Sequence, residues 1–247
     1  MRSRWIVGMV LALALLVTAL PAAAQDSEQD CFDKGGTWNT DEQRCVFYLA
    51  LEIDIDYPLE LTTEYPFIEQ AVDRFLGQER AAFLSPLLDP EFVYYSPGPM
   101  TLYVRYETEG FSEDFLSLNF TVYTYSGGAH GMTYFETMTF YLAKEIQISL
   151  FDVFLPDAAF LEVISPMAIA ALTEQLGDMA DAEWIANGAG PQLENYQNWM
   201  LTPDALVFTF EAYQVAAYAA GPQTVTIPLA DLQDILGPEF APVGAAQ

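Results

Sequence analysis

Apolar and polar residues alternate between Val46 and Tyr57. Leu49, Leu51, Ile53 and Ile55 fall on one face, and Glu52, Asp54 and Asp56 on the other. A period of two predicts a half-buried strand, and Pro58 ends it. Behind Pro66, a residue suited to the first turn of a helix, the period lengthens. Ile68, Val72, Phe75, Glu79 and Phe83 recur at helical spacing, and Ala71 and Leu76 widen the stripe. Ser85-Pro86 and Asp89-Pro90 stop this helix, and Ser96-Pro97-Gly98-Pro99 reads as a rigid loop. Three alternating stretches follow: Leu102, Val104, Tyr106; then Leu116, Leu118, Phe120, Val122; then the threonine- and aromatic-rich run Met132 to Tyr141. They predict a β-meander, its second and third strands joined as a hairpin by Ser126-Gly127-Gly128-Ala129-His130-Gly131.

The C-terminal half mixes periods. Ile146 to Leu150 is short and apolar. Ala158 to Leu176 is helical in pattern, with Pro166 expected to divide it. Residues 177–198 are rich in Gly, Asn and Gln and read as loop with short helix. Leu206 to Phe210 and Thr224 to Ile227 predict strands, and Leu229 to Leu236 a closing short helix. Strands and helices do not alternate as regular βαβ units, so the expected class is α+β, antiparallel sheets with packed helices. Residues 46–142 and 143–240 are expected to form two small, intimately packed α+β parts sharing a core.

The N-terminus reads as a secretion signal over residues 1–24, with an uncleaved anchor as the alternative. Arg2 and Arg4 form a basic start, Ile6 to Leu20 an apolar run shorter than a membrane span, and Pro21-Ala22-Ala23-Ala24 a cleavage region before Gln25. No later segment is apolar enough to span a membrane, so an extracytoplasmic protein, periplasmic or secreted, is expected. Residues 25–30 read as a polar leader. Of 247 residues, 52% are hydrophobic and 14% aromatic, enough for a packed core.

Charge narrows the partners. Loss of Arg2 and Arg4 with the signal takes the formal net charge from −27 to −29, leaving six basic residues against 35 acidic ones. Nucleic acid is excluded by repulsion between like charges. A basic partner would be steered in, although acidity also serves solubility.

Cys31 and Cys45 bound the segment CFDKGGTWNTDEQRC. In an oxidising compartment they are expected to pair, stabilising the fold by about 3 kcal/mol through loop closure. Gly35-Gly36 suits a tight turn, and Trp38 can pack across the bridge. Residues 25–45 therefore read as a stapled N-terminal segment.

Candidate chemistry is sparse. His130 is the sole histidine. Ser126 lies near it, but Ser-Gly-Gly-Ala-His is no nucleophile elbow, so a buried or turn-capping role is expected and no catalytic residue is assigned. One histidine and two paired cysteines do not make a zinc site. Asp54, Asp56 and Glu60, or Glu107, Glu109, Glu113 and Asp114, offer oxygens to calcium, but no D-x-D-x-D-G loop arranges them. No metal or other cofactor is expected. Thirty-five acids leave carboxylate-dependent hydrolysis open without indicating a pair. Tyr94, Tyr95, Tyr123, Tyr125 and Tyr134 could stack on sugars, although strand spacing also suits cross-strand packing.

Two stretches carry a family resemblance. One is Tyr123-Thr-Tyr-Ser-Gly-Gly-Ala-His-Gly131. The other runs from Trp199 through Phe210, Tyr213 and Tyr218-Ala-Ala-Gly221 to Val225-Thr-Ile-Pro228 and Leu232. Together with Ile148-Ser-Leu-Phe-Asp-Val-Phe154 they resemble the extracellular domain of RsiV-type anti-sigma factors. That module is also found beside peptidoglycan deacetylase domains and alone in exported bacterial proteins. The resemblance spans roughly residues 46–236 and implies an α+β fold that, in the anti-sigma members, binds lysozyme. Only Met1 to Arg4 precede the apolar segment, so the sigma-binding region is not expected, nor is a deacetylase domain.

The reading that follows is a non-catalytic binding or sensing domain of the cell envelope. Its partner is a basic protein such as lysozyme, with a cell-wall glycan or envelope hydrolysis as alternatives. Tyr123, Tyr125, His130 and Tyr134, beside the 126–131 turn, are the expected binding residues. Intact-mass measurement before and after reduction is expected to show a mature chain starting near Gln25 with one Cys31–Cys45 bridge. Free thiols in native protein would contradict the pairing.

Overall fold

The computed structural model describes residues 22–33, 36–46, 50–89 and 98–240. The apolar run Ile6 to Leu20, Pro21, and Tyr94 and Tyr95 lie outside them. Among the described residues no helix is long and apolar enough to cross a membrane. The chain divides into a small unit up to Tyr48 and a larger one from Leu49.

In the small unit, α1 (Ala22–Asp33) takes in the stretch expected to be a polar leader. It is followed by an antiparallel pair, β1 (Thr37–Asn39) and β2 (Arg44–Val46). Cys31, buried at the end of α1, is bonded to Cys45 on β2, and Trp38 lies opposite Cys45 in the pair. Gly36 serves close approach: a Cβ there would sit 2.4 Å from the Cys45 sulfur. The bridge leaves no room for a side chain.

The larger unit is built on a five-stranded sheet in the order β3 (Leu51–Ile55), β4 (Met100–Ser112), β5 (Phe115–Tyr125), β6 (Met132–Tyr141), β7 (Ile146–Ile148). The three long strands form the expected antiparallel meander; β3 alone joins in parallel, reached through α2 (Leu59–Glu64) and α3 (Pro66–Leu84). One sheet face presents Met100, Leu102, Val104, Leu118, Phe120, Val122, Met138 and Phe140 to Ile68, Val72, Phe75 and Phe83 of α3. Phe75 meets Phe120 at 4.9 Å between ring centres. The expected strand at residues 46–57 is shorter, and its apolar residues are only partly covered. Leu51 and Ile53 point to the α3 side in register with Met100 and Leu102, yet are 43% and 39% exposed, because β3 is an edge strand.

The opposite face carries the second core. A three-stranded sheet runs β10 (Gln223–Pro228), β9 (Ala205–Phe210), β8 (Trp199–Leu201). It packs with α4 (Phe160–Leu176) and α5 (Ala182–Gly188) around Ile164, Leu172, Phe208, Phe210 and Leu229. Pro166 does not divide α4, which is continuous. The proline is exposed, and buried residues on both sides of it (Phe160, Ile164, Ala168, Leu172) hold the helix through the one lost backbone bond. Helix α5 lies within the stretch expected to be loop with short helix; the short strand β8 and helix α2 were not expected from the sequence, each being too short to show a period.

Strand β8 pairs with β9 on one side only, so the N–H groups of Trp199 and Leu201 point away from its partner. They meet hydroxyls on the five-stranded sheet. Trp199 donates to Thr137 Oγ1 (2.9 Å) and Leu201 to Ser117 Oγ (3.0 Å), and Ser117 is itself bonded to Thr139 (2.9 Å). Ser117 and Thr139 are almost wholly buried. Ser117→Ala leaves the Leu201 N–H without a partner in the core and is expected to cost about 1–3 kcal/mol. Thr173→Ala, which removes an exposed hydroxyl bonded only within α4, is expected to stay within about 0.5 kcal/mol. Urea unfolding of the two variants checks this.

Candidate functional site

The β5–β6 turn and the segment after β9 meet at one end of the larger unit. The turn needs left-handed backbone at Gly127 (φ 102°) and Gly128 (φ 96°), which glycine adopts without strain. Tyr125 closes it, its hydroxyl donating to Gly128 O at 3.0 Å. Gly131 lets the chain pass against the face of Tyr123, where a Cβ would lie 2.4 Å from the ring. Tyr123 in turn stacks on its cross-strand neighbour Tyr103, 6.0 Å between centres.

His130 is exposed rather than buried, and it does not cap the turn. Its ring lies flat on Tyr218, 4.1 Å between centres at 22°, and its Nδ1 is 3.0 Å from Gly131 O, which places the proton on Nδ1. The Tyr218 hydroxyl donates to the same carbonyl at 3.0 Å. Tyr213 lies 5.4 Å beyond Tyr218 and is 48% exposed. It has a φ of +72°, a costly conformation for a side chain of this size. The conformation is held from several directions. Trp184 Nε1 donates to Tyr213 O (2.9 Å), and Gln214 reaches Gly188 O and Asn195 O. The Gln214 carbonyl packs so closely on Gly188 that a Cβ there would lie 1.9 Å from it. The result is an aromatic row, Tyr103, Tyr123, His130, Tyr218, Tyr213, interrupted only by Gly131.

Of the residues singled out from sequence, Tyr123, Tyr125 and His130 come together here. Tyr134 does not: it projects from the other face of β6 toward α3, where its hydroxyl donates to Glu79. This explains the acid in the otherwise apolar stripe of α3. The pair borders a cleft of about 240 Å³ with Thr124 and Ser126. Burial, then Glu79, then Glu211 hold the Tyr134 hydroxyl well above its ordinary range, so it keeps the proton that it donates to Glu79. Glu136, two residues on, is raised by burial first and then by Glu79 and Glu211. Glu211 comes from the C-terminal half. Its Oε1 accepts from Phe135 N (3.3 Å) and Asn198 Nδ2 (3.1 Å), taking a backbone donor of β6 that has no strand beside it.

The remaining candidates separate. Asp54 and Asp56 are engaged by Arg105 at 2.6 and 3.5 Å, and the described residues hold no cluster of three or more metal-ligating side chains. No serine or threonine hydroxyl among the described residues is bonded to His130. Sequence reasoning did not single out Tyr213, Tyr218 or Trp184 as site residues. Their approach to His130 depends on pairing two halves of the chain, which no local pattern reveals.

Fold and site define an α+β module with a core on each face of its main sheet and an aromatic joint where the His130 turn meets the segment after β9. Residues 49–133 match the family model described as deacetylase PdaC, and residues 151–230 match the one described as a protein of unknown function, DUF3298. The His130 turn closes the first match, and Tyr213 and Tyr218 lie within the second. The chain is 28% identical to the peptidoglycan-N-acetylmuramic acid deacetylase PdaC of Bacillus subtilis, over 81% of this chain and 44% of that protein. It is 30% identical to the immunogenic protein MPT64 of Mycobacterium tuberculosis, over 47% of this chain and 49% of that one. It thus spans less than half the length of these curated relatives. A third relative, esterase Rv3036c of M. tuberculosis, is 25% identical over 92% of this chain and 99% of its own. Among solved structures, a DUF3298 family protein of Pseudomonas aeruginosa shares the fold. Its TM-score is 0.55 at 21% identity, covering 77% of this chain and 86% of that one.

Glu136 offers a test of the acidic side. A carboxyl group raised in the folded state holds its proton more tightly there than when unfolded. Folding is therefore favoured at low pH, and that advantage is lost as pH rises through the raised value. Glu136→Gln removes the cost of the buried charge. The variant is expected to unfold at higher urea than the parent at pH 7, and the difference to vanish once pH falls below the ordinary carboxylate range. Urea midpoints from pH 3 to 8 measure both limbs.

Proposed function

We propose that this protein is an extracytoplasmic binding module of the bacterial cell envelope that engages a basic protein through the aromatic joint. The observation that carries this reading is the joint itself. A strained, exposed Tyr213 and an exposed His130 are held on Tyr218 by bonds from both halves of the chain. Backbone strain maintained by surrounding contacts is characteristic of sites where a side chain must be presented, and rigid tyrosines make efficient interface anchors. The envelope setting is supported by the PdaC match, by a relative named for its action on peptidoglycan, and by the Cys31–Cys45 disulfide. The net charge of −27 favours a cationic partner, and lysozyme is the partner that the RsiV-type resemblance implies.

A second reading, ester hydrolysis, rests on one observation: the relative named as an esterase aligns over nearly the whole of both chains.

Binding kinetics with lysozyme and an equally basic unrelated protein, at two salt concentrations, test the first reading. Association with lysozyme is expected to slow steeply with salt while dissociation changes little. Tyr213→Asn, which keeps a residue tolerant of left-handed backbone, is expected to speed dissociation at least tenfold. Equal binding of both proteins, or indifference to Tyr213→Asn, would overturn it. Turnover of simple esters that is abolished by His130→Ala would establish the second reading in its place.

A further inference from the structure

Away from the joint, a cleft of about 360 Å³ opens between the β7 segment and the stretch leading into β8. Its volume falls in the range of small-molecule sites. The chain has 35 acidic and 8 basic residues, yet among the described residues no charged side chain lines this cleft. Trp199 and Leu150 form a buried floor, and Phe151, 55% exposed, stands at the rim. The hydroxyls within it are committed: Thr137 bonds Trp199 N and Gln197 O, and Ser149 donates to Asp152. The carboxamides of Gln147 and Gln197 are exposed at its edge and have no hydrogen-bond partner among the described residues.

These features select a ligand chemistry. A charge entering the cleft would lose water without meeting a counter-charge, which is costly, so the occupant is uncharged. Each carboxamide offers donors and an acceptor together, the complement of hydroxyl and amide groups that do both. Phe151 and the Trp199 floor offer apolar and aromatic surface to C–H groups. A compact ligand with apolar faces and a rim of neutral donors and acceptors is a sugar ring, and an acetamido group adds a methyl for Leu150 and Leu193.

We propose that this cleft binds an uncharged N-acetylated hexosamine unit of a glycan chain. The source of the sugar rests on the envelope reading above; the neutral, amide-reading chemistry does not.

Titration with the N-acetylglucosamine trimer, followed by calorimetry and tryptophan fluorescence, tests it. Saturable binding at one site per chain is expected. The double variant Gln147→Ala/Gln197→Ala is expected to weaken it at least tenfold, with circular dichroism and urea midpoint unchanged. Phe151→Ala alone is expected to weaken it severalfold, and Tyr213→Asn to leave it unchanged. Absence of saturable binding at millimolar trimer, or equal affinity in the double variant, would overturn the proposal. The same double variant is expected to bind lysozyme as the parent does. A parent protein that binds lysozyme but not the trimer therefore rejects the cleft alone, and one that binds the trimer but not lysozyme rejects only the joint.

Discussion

The larger unit depends on how an open strand edge is satisfied. β8 has a partner on one side only, and its outward N–H groups lie against a sheet face, largely shielded from solvent. An unpaired donor there costs as much as a well-made core contact contributes. The chain answers with hydroxyls: Ser117 and Thr139, bonded to each other, and Thr137 beside them, each on the face of a strand whose other face is apolar. The five-stranded sheet therefore has two different interiors, an oily one against α3 and a hydroxyl-lined one against β8. Because each bond fixes a distance and a direction, this second interface sets the register of the three-stranded sheet on the five-stranded one, which apolar packing alone would leave looser.

That register positions the aromatic joint. Gly131 against Tyr123, and Gly188 against the Gln214 carbonyl, are approaches that admit no side chain. Glu211 extends the same logic to β6, taking the N–H of Phe135 where no strand lies beside it. Backbone groups left over by sheet formation are thus paired with side chains from the other half of the chain. The strained Tyr213 stands at the end of that series. Its conformation persists because Trp184, Gln214 and Gly188 leave it no alternative.

The sequence read the meander, α3 and the long C-terminal helix correctly, since each repeats its period often enough to be recognised. The face of β3 was also legible, but not its coverage: alternation reports which way Leu51 and Ile53 point, not whether anything lies above them. Pro166 misled because propensity counts a lost backbone bond and cannot see the packing on either side that retains the helix. The turn residues around His130 stood out for their glycines, whereas Tyr213 and Tyr218 acquire meaning only when residue 131 is known to touch residue 218. Glu79 had the right spacing for a core position and the wrong chemistry, a conflict that only its partner Tyr134 resolves.

The parallel placement of β3 has a kinetic side. β4, β5 and β6 are hairpin neighbours and can assemble from local contacts, whereas β3 must wait for the whole α2–α3 connection to close before it finds β4. Its bonds to the sheet run along one side only, and two of its apolar residues stay half in water. β3 is thus expected to dock after the meander and to fray before it, and its departure leaves the meander whole. When it does peel away it uncovers the β4 edge, the kind of surface on which one chain can pair with another. The alternating acids Glu52 and Asp54 then act as gatekeepers, keeping the freed strand soluble long enough to return.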